Sequence, residues 1–360
     1  MKAALHGDAF KGYAGRFVWL EVNVDDPHNA AFLANSIEAY PVLELIDPAS
    51  ERATRMWAGT ASTAQLVAFL DGKPDDAIAR GDGLLARGDG SGAAAAYEQA
   101  IAHVPTGPAH DHALEQLATA MQLGPAAPCI ARLAKEAAAM PREHPFVNVA
   151  LTGASCAAGA PELAGTHDVV ALEQLAREAL ALPVASEDDR YQLYEGLYAL
   201  RIEASDQPGA KTIAGAYLDY VRQRPAPEND DERMARDLAL VRAATKTGDV
   251  AQAIPQLEAS ERALAADPDA SLRLAKLYLA VNRLDDAAAA ATRGLARAPK
   301  PTQAARLYGL RASIESKQRK LDAATHDLDA GLDAAARING AQSRAGTVAA
   351  LQQQRAALTP

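Results

Sequence analysis

From residue 75 onward the hydrophobic positions recur with helical spacing. ALEQLATAMQLG, CIARLAKEAAAM, VVALEQLAREALAL, RYQLYEGLYALRIEA and AKTIAGAYLDYVRQR each carry an apolar stripe that returns every three or four residues. Gly, Pro and Asp/Asn turns separate the runs, and no strand-like segment interrupts them. The beginning of the chain reads differently. RFVWLEVNV at 16–24 alternates as a strand does, through Phe17, Trp19, Val22 and Val24, and DDPHN then opens a helix over NAAFLANSIEA. A β-rich run, Val42 to Ile46, is entered through Tyr40-Pro41 and left through Asp47-Pro48. ATRMWAG follows as a second short strand closing at Gly59. TASTAQLVAFLDG is then a helix capped by Thr60 or Ser62, with Gly72 past its end. The order over residues 16–72 is strand, helix, strand, strand, helix.

The helical part also repeats over a longer distance. Gly81 is followed by Leu84, Gly88, Ala93, Tyr97, Ala100 and Pro105. The same offsets return as Leu274, Ala275, Tyr278, Leu284, Ala287, Gly294 and Pro299. Gly248 and Ala253 repeat the turn and the small residue, and Ala253 stands 34 residues before Ala287. Arg319, Leu321, Ala324, Leu328 and Gly331 continue the series after a longer connection. These positions resemble the tetratricopeptide repeat, a pair of antiparallel helices. Helices that cross closely need small side chains at the crossing, which places 81/93, 275/287 and 312/324 there, Ala312 facing Ala324. Tyr97, Leu277 and Tyr278 fill the gaps beside them. The repeat is clearest over 75–105 and 238–334 and degenerate over 109–224. PAPENDDE at 225–232 reads as a loop between sub-blocks. The last helix, about 342–357, sets Val348 and Leu351 against a polar face, as a solenoid cap needs.

Composition sharpens this picture. Of 360 residues 49% are hydrophobic, but aromatics are only 5%. Alanine, which makes up much of the remainder, favours closely packed helices over a sandwich or barrel. A net charge of -10 and the lack of a long Lys/Arg run argue against nucleic acid as a partner. No apolar stretch approaches the ~20 residues of a membrane span, and the first residues do not read as a signal peptide. Cys129 and Cys156, the two cysteines, fall in helical runs and read as small buried hydrophobes.

The order of elements at 16–72 resembles the C-terminal half of the thioredoxin fold. Tyr40-Pro41 falls where that family has its cis-proline, and Gly59 where a glycine ends its last strand. DPHNAAF and TASTAQLVAFL are similar to segments of bacterial thioredoxin-family proteins that carry helical repeats behind the thioredoxin domain. The resemblance covers about the first fifth of the chain. It implies a partial, redox-inactive thioredoxin-like domain at 1–73, because the family's front half and Cys-x-x-Cys pair have no counterpart here. It also implies a missing neighbour strand between 17–22 and 42–46, and hence one of two alternatives: a real loss of the redox centre with a remodelled small sheet, or a Met1 that is an internal methionine of a longer thiol-disulfide oxidoreductase. As written, the chain is expected to be cytoplasmic; a lost N-terminus would make it periplasmic or otherwise exported.

Candidate chemistry is sparse. His110-Asp111-His112 points to different sides of a helix and reads as a solvated helix start, not a metal chelate. His28, His144 and His167 read as exposed residues at helix entries. GDGSG at 88–92 lacks the P-loop lysine and reads as the turn inside the first repeat. The acidic pairs Asp25-Asp26, Asp188-Asp189 and Asp230-Asp231 fall at helix starts, where the helix dipole favours them. Tyr191, Tyr194 and Tyr198 share one helix face, as a core stripe or as the wall of a peptide groove. The carboxylate clamp that some tetratricopeptide proteins use for acidic chaperone tails is not matched by the inner positions Ile78 and Asp82.

The expected architecture is mainly α: a tetratricopeptide-like α-solenoid over 74–360 behind a partial α/β thioredoxin-like segment. No catalytic residue, metal or cofactor is assigned. The expected role is protein-protein interaction with a protein or peptide partner. The first segment is expected to dock on the first repeat through Phe69 and Leu70 against Leu84 and Leu85.

Overall fold

The computed structural model describes residue 5 and residues 8–22, 41–72, 75–338 and 341–358. The expected helix over NAAFLANSIEA, His28, Asp25-Asp26 and Tyr40 lie outside them. Sixteen α-helices are formed among the described residues, and the only sheet there is a two-stranded one. The chain divides into two compact units. One holds the described residues from Leu5 to Ile213, the other those from Ala214 to Leu358.

The first unit opens with a 3-10 turn, Asp8–Tyr13, and an irregular stretch to residue 22. Strands β1 (Val42–Asp47) and β2 (Arg52–Ala58) form an antiparallel hairpin in the register Val42↔Ala58, with a bulge between Leu45 and Ile46. The backbone of Gly59, at φ +95°, donates to Pro41 O at 2.9 Å and closes the hairpin. Helix α1 (Thr63–Asp71) follows, with a capping box between Ser62 and Gln65 and Gly72 as its C-cap. The expected strand over 17–22 is not formed. Phe17 and Trp19 alternate, but their rings pack on Tyr13 and Phe10, 6.3 and 6.4 Å away, while Val18 and Leu20 stay exposed.

Helical hairpins then run in series: α2 (Asp76–Leu85) with α3 (Gly90–Ile101), α4 (Pro108–Gln122) with α5 (Ala126–Ala139), and α6 (His144–Ala158) with α7 (His167–Ala181). Helices α8 (Glu187–Glu203) and α9 (Gln207–Gln223) follow. The first helices of successive pairs, α2, α4, α6 and α8, lie side by side as one row. The second unit continues with α10 (Asp230–Thr247), α11 (Ile254–Ala263), α12 (Pro268–Ala280), α13 (Leu284–Ala296), α14 (Pro301–Lys317), α15 (Leu321–Ala336) and α16 (Ala341–Ala356). Its row is α10, α12, α14 and α16.

The small residues sit where helices approach closely. Ala93, Ala253, Ala275, Ala287 and Ala324 have no exposed surface, and Ala312 almost none. A Cβ on Gly81 would stand 2.6 Å from the Tyr97 ring, and one on Gly153 would stand 2.5 Å from Leu172. Stacking shows in the polar pairs too. Arg132 reaches Glu98, and Gln303 reaches Asp269, at 2.9 and 2.7 Å, each pair 34 residues apart. Gln318 and Asp285, 33 apart, meet at 2.8 Å. A period near 34 sets equivalent positions of successive hairpins side by side.

Cys129 and Cys156 are buried and helical, as expected, but they are bonded to each other. The disulfide joins α5 to α6, with Cα atoms 6.3 Å apart and a sequence separation of 27. In sequence the two thiols fit no disulfide framework; only the crossing of the two helices brings them together.

Candidate functional site

The row α2–α4–α6–α8 of the first unit is covered by its own hairpin. Residues 41, 43 and 45 face 59, 57 and 55 across the ladder, so the N–H groups of Met56 and Ala58 point away from β1. Such an edge needs partners, and side chains of the row supply them. Asp82 on α2 accepts from Met56 N at 3.3 Å. Gln116 on α4 accepts from Ala58 N at 3.0 Å and donates to Ala58 O at 3.2 Å, pairing as a neighbouring strand would. Asn148 on α6 donates to Thr60 O at 3.3 Å, and the Thr60 hydroxyl is shared between Asn148 Oδ1 and Asp189 Oδ1, at 2.8 and 2.9 Å. Asp189 lies on α8. Four successive helices of one row thus hold residues 56, 58 and 60.

Apolar contacts reinforce the ladder. One face of the hairpin sends Met56 and Ala58 into the core of the first repeat, with Ile78, Leu85 and Tyr97. The other sends Trp57 against Phe69, Leu66 and Phe10. Docking on the first repeat therefore runs through Met56 and Ala58, not through Phe69 and Leu70 against Leu84 and Leu85 as expected. Phe69 instead faces Trp57 and His112, at 5.9 and 5.5 Å.

Several polar residues that read as solvated are buried by this contact. His112 is 4% exposed and its Nε2 donates to Asp82 at 3.0 Å. Tyr97 donates to the same carboxylate at 2.8 Å; burial, with Asp82 beside it, pushes the phenol well above its ordinary range. His144 is mostly buried and stands 3.8 Å from Asp189. Burial lowers its imidazole below the usual value, against the pull of Asp189. Asp189 serves as N3 of the α8 capping box and as the partner of Thr60, beyond its place near the helix dipole. Glu115 is the most perturbed carboxyl. Burial raises it to about 8, the hydrogen bonds from Asn148 and Gln65 pull it back, and the Asp111 and Asp189 charges add to the rise. His167 is exposed, as expected.

In the second unit, Arg242 on α10 and Lys276 on α12 stand 34 residues apart, at the same position of successive hairpins, and both are exposed. Leu238, one turn before Arg242, is 42% exposed. One turn beyond Lys276, Ala280 is exposed, as is Lys317 near the end of α14. The cross-helix face is the opposite one. There Tyr278 donates to Glu258 at 2.6 Å, and Glu261 takes Arg293 in a two-point pair at 2.7 and 3.0 Å. Asp237, itself buried, accepts from Ser260 at 2.8 Å.

The residues expected at helix crossings fall on both units. Gly81, Ala93, Tyr97 and Ala100 are buried in the first repeat, with Pro105 exposed in the connection after it. Ala253, Leu274, Ala275, Tyr278, Ala287, Ala312 and Ala324 are buried, and Pro299 is half-buried just before α14. Tyr191 is buried, and Tyr194 and Tyr198 are half-buried against the core of the first unit. Pro41 is exposed at the hairpin mouth. Asp82, Gln116, Asn148 and Asp189 are the positions that sequence reasoning missed. Among the described residues, no group of three or more His, Cys, Asp or Glu is arranged to hold a metal, and no helix is long and apolar enough to cross a membrane.

The tetratricopeptide-repeat family model matches residues 244–314, from the end of α10 into α14. No curated protein matches the chain. Among solved structures, a tetratricopeptide repeat protein from Parabacteroides merdae is similar at 14% identity and a TM-score of 0.44, covering 77% of this chain and 98% of that one. The TPR2AB domain of yeast Sti1, in a complex named for pHSP90, is 15% identical with a TM-score of 0.32, over 79% of this chain and 98% of that one. The APC/C hetero-tetramer Cut9-Hcn1 gives 12% identity and a TM-score of 0.35, over 79% of this chain and 52% of that one. The described residues are mainly helical, and the family match puts a tetratricopeptide-type repeat over residues 244–314 of the second unit.

Proposed function

We propose that this chain is a protein-interaction scaffold whose second unit holds an acidic segment of a partner protein along the row α10–α12–α14. The observation that carries the reading is the exposed, repeat-matched pair Arg242 and Lys276, with Leu238 beside it, on a chain whose net charge is -10. Basic side chains at one position of successive repeats offer a spaced set of charges to carboxylates, and the exposed leucine offers an apolar anchor. The test compares partners captured by the wild-type chain with those captured by Arg242→Glu/Lys276→Glu and by Arg262→Glu, a control on α11. The reading expects partners lost with the first variant and kept with the second. The same set retained by all three would overturn it.

A second reading concerns location. We infer that the chain folds in an oxidising compartment, because structural disulfides persist there and are rare where thiols are kept reduced. The support is the buried Cys129–Cys156 bond. Chain isolated from its own cells under thiol-blocking conditions should carry no blocked cysteine; two blocked cysteines would overturn the inference.

For the thioredoxin-like reading of the first segment, the support is the hairpin and helix ending at Gly59 and Gly72. The cysteines join two different helices outside that segment and form no Cys-x-x-Cys pair, so no insulin reduction is expected.

A further inference from the structure

The contacts to residues 56–60 have an unusual chemistry. Asp82, Gln116 and Asn148 all bind main-chain groups, at Met56 N, at Ala58 N and O, and at Thr60 O. Main-chain bonds at every second residue do not read sequence. They read an extended backbone, with side-chain preferences set by the pockets between them. Those pockets take a large apolar group at 56, a small one at 58 and a hydroxyl at 60, where Asp189 and Asn148 accept. Along the chain the hairpin precedes α2, with α1 between them.

We propose that the row α2–α4–α6–α8 is a binding site for an extended polypeptide strand, and that residues 56–60 are its resident, self-inhibiting ligand. The strand it takes in trans is an extended segment with a large apolar, a small and a hydroxyl residue at alternate positions, and it enters only when the hairpin leaves. The site is independent of the second unit, so the scaffold reading above and this one can fail separately. It is also not an open groove: Met56 and Ala58 of the occupant are almost completely buried against it, which keeps the site closed at rest.

The probe is a fluorescent synthetic peptide with the sequence of residues 53–63, added to the full chain and followed by anisotropy. Met56→Asp weakens the resident strand and leaves every helix side chain of the site in place. The expected result is at least tenfold tighter peptide binding to Met56→Asp than to wild type, abolished again when Gln116→Leu is added. Equal binding by wild type and Met56→Asp, or binding indifferent to Gln116→Leu, overturns the proposal. Should Met56→Asp lose its helical signal, hydrogen exchange on the wild-type chain decides. Amides of Met56 and Ala58 should exchange together and sooner than that of Leu117 in α4, and excess peptide should hasten them further. Exchange no faster than that of Leu117, with or without peptide, would show a strand that never leaves.

Discussion

The two units pair helices by the same rules and treat the exposed row in opposite ways. In the first, α2, α4, α6 and α8 carry Asp82, Gln116, Asn148 and Asp189, and a hairpin from the same chain lies on them. In the second, equivalent positions carry Arg242 and Lys276, both exposed among the described residues. Acids and amides that would cost free energy if buried alone are satisfied in the first unit by backbone groups of residues 56–60 and by the Thr60 hydroxyl. The lesson is that a helix row of this type tolerates buried polar side chains when a strand supplies the complementary donors and acceptors.

The largest expected difference comes from Trp57→Ala. It removes the centre of the hairpin's second layer and should destabilise the first unit by about 3–5 kcal/mol, while hydrogen exchange over 268–296 stays unchanged. Equal acceleration in both units would mean that they share one cooperative core. Replacing both Cys129 and Cys156 by alanine should cost the first unit about 2–4 kcal/mol, read as a lower denaturant midpoint for its amides only. In the second unit, Ala287→Leu should cost about 1–3 kcal/mol by overpacking the Ala275/Ala287 crossing. An unchanged thermal midpoint would place the helix crossing elsewhere.

The smallest effect is one of pH. Folded, Glu115 keeps its proton to about pH 8; unfolded, it ionises near its ordinary 4.5. Between these values the unfolded chain has released a proton that the folded chain retains. Stability from this group is therefore complete below about 4.5 and declines as pH rises towards 8. The Asp111 and Asp189 charges add to the rise at Glu115, and His144 stands beside Asp189 at 3.8 Å. Glu115→Gln should flatten the decline in the first unit and leave the second unit's pH profile as it was. A wild-type midpoint that is level over this window would contradict the burial of that carboxyl.

Much of this was legible in the sequence where function follows from repetition. Small residues at 275 and 287, a turn glycine at 248 and the 34-residue step announced helical hairpins, because close helix crossings admit few side chains. The capping signals at Ser62 and Gly72 placed α1 for the same local reason. What could not be read depends on contacts between distant segments. His112 looks like a first-turn polar residue until Asp82, Trp57 and Phe69 enclose it. Cys129 and Cys156 look unrelated until α5 crosses α6. Phe17 and Trp19 alternate as in a strand, yet find aromatic neighbours that need none. Gln116 gave no signal at all: one glutamine on an amphipathic helix is ordinary until a strand edge arrives beside it.

The contrast between a filled row and an open one is tested most directly by brief hydroxyl-radical labelling of the native full chain, read residue by residue. Met56 and Trp57 are intrinsically more reactive than leucine, so their order is informative. Both should remain unlabelled while Leu238 is modified. Rapid labelling of Met56 and Trp57, with Leu238 protected, would contradict it.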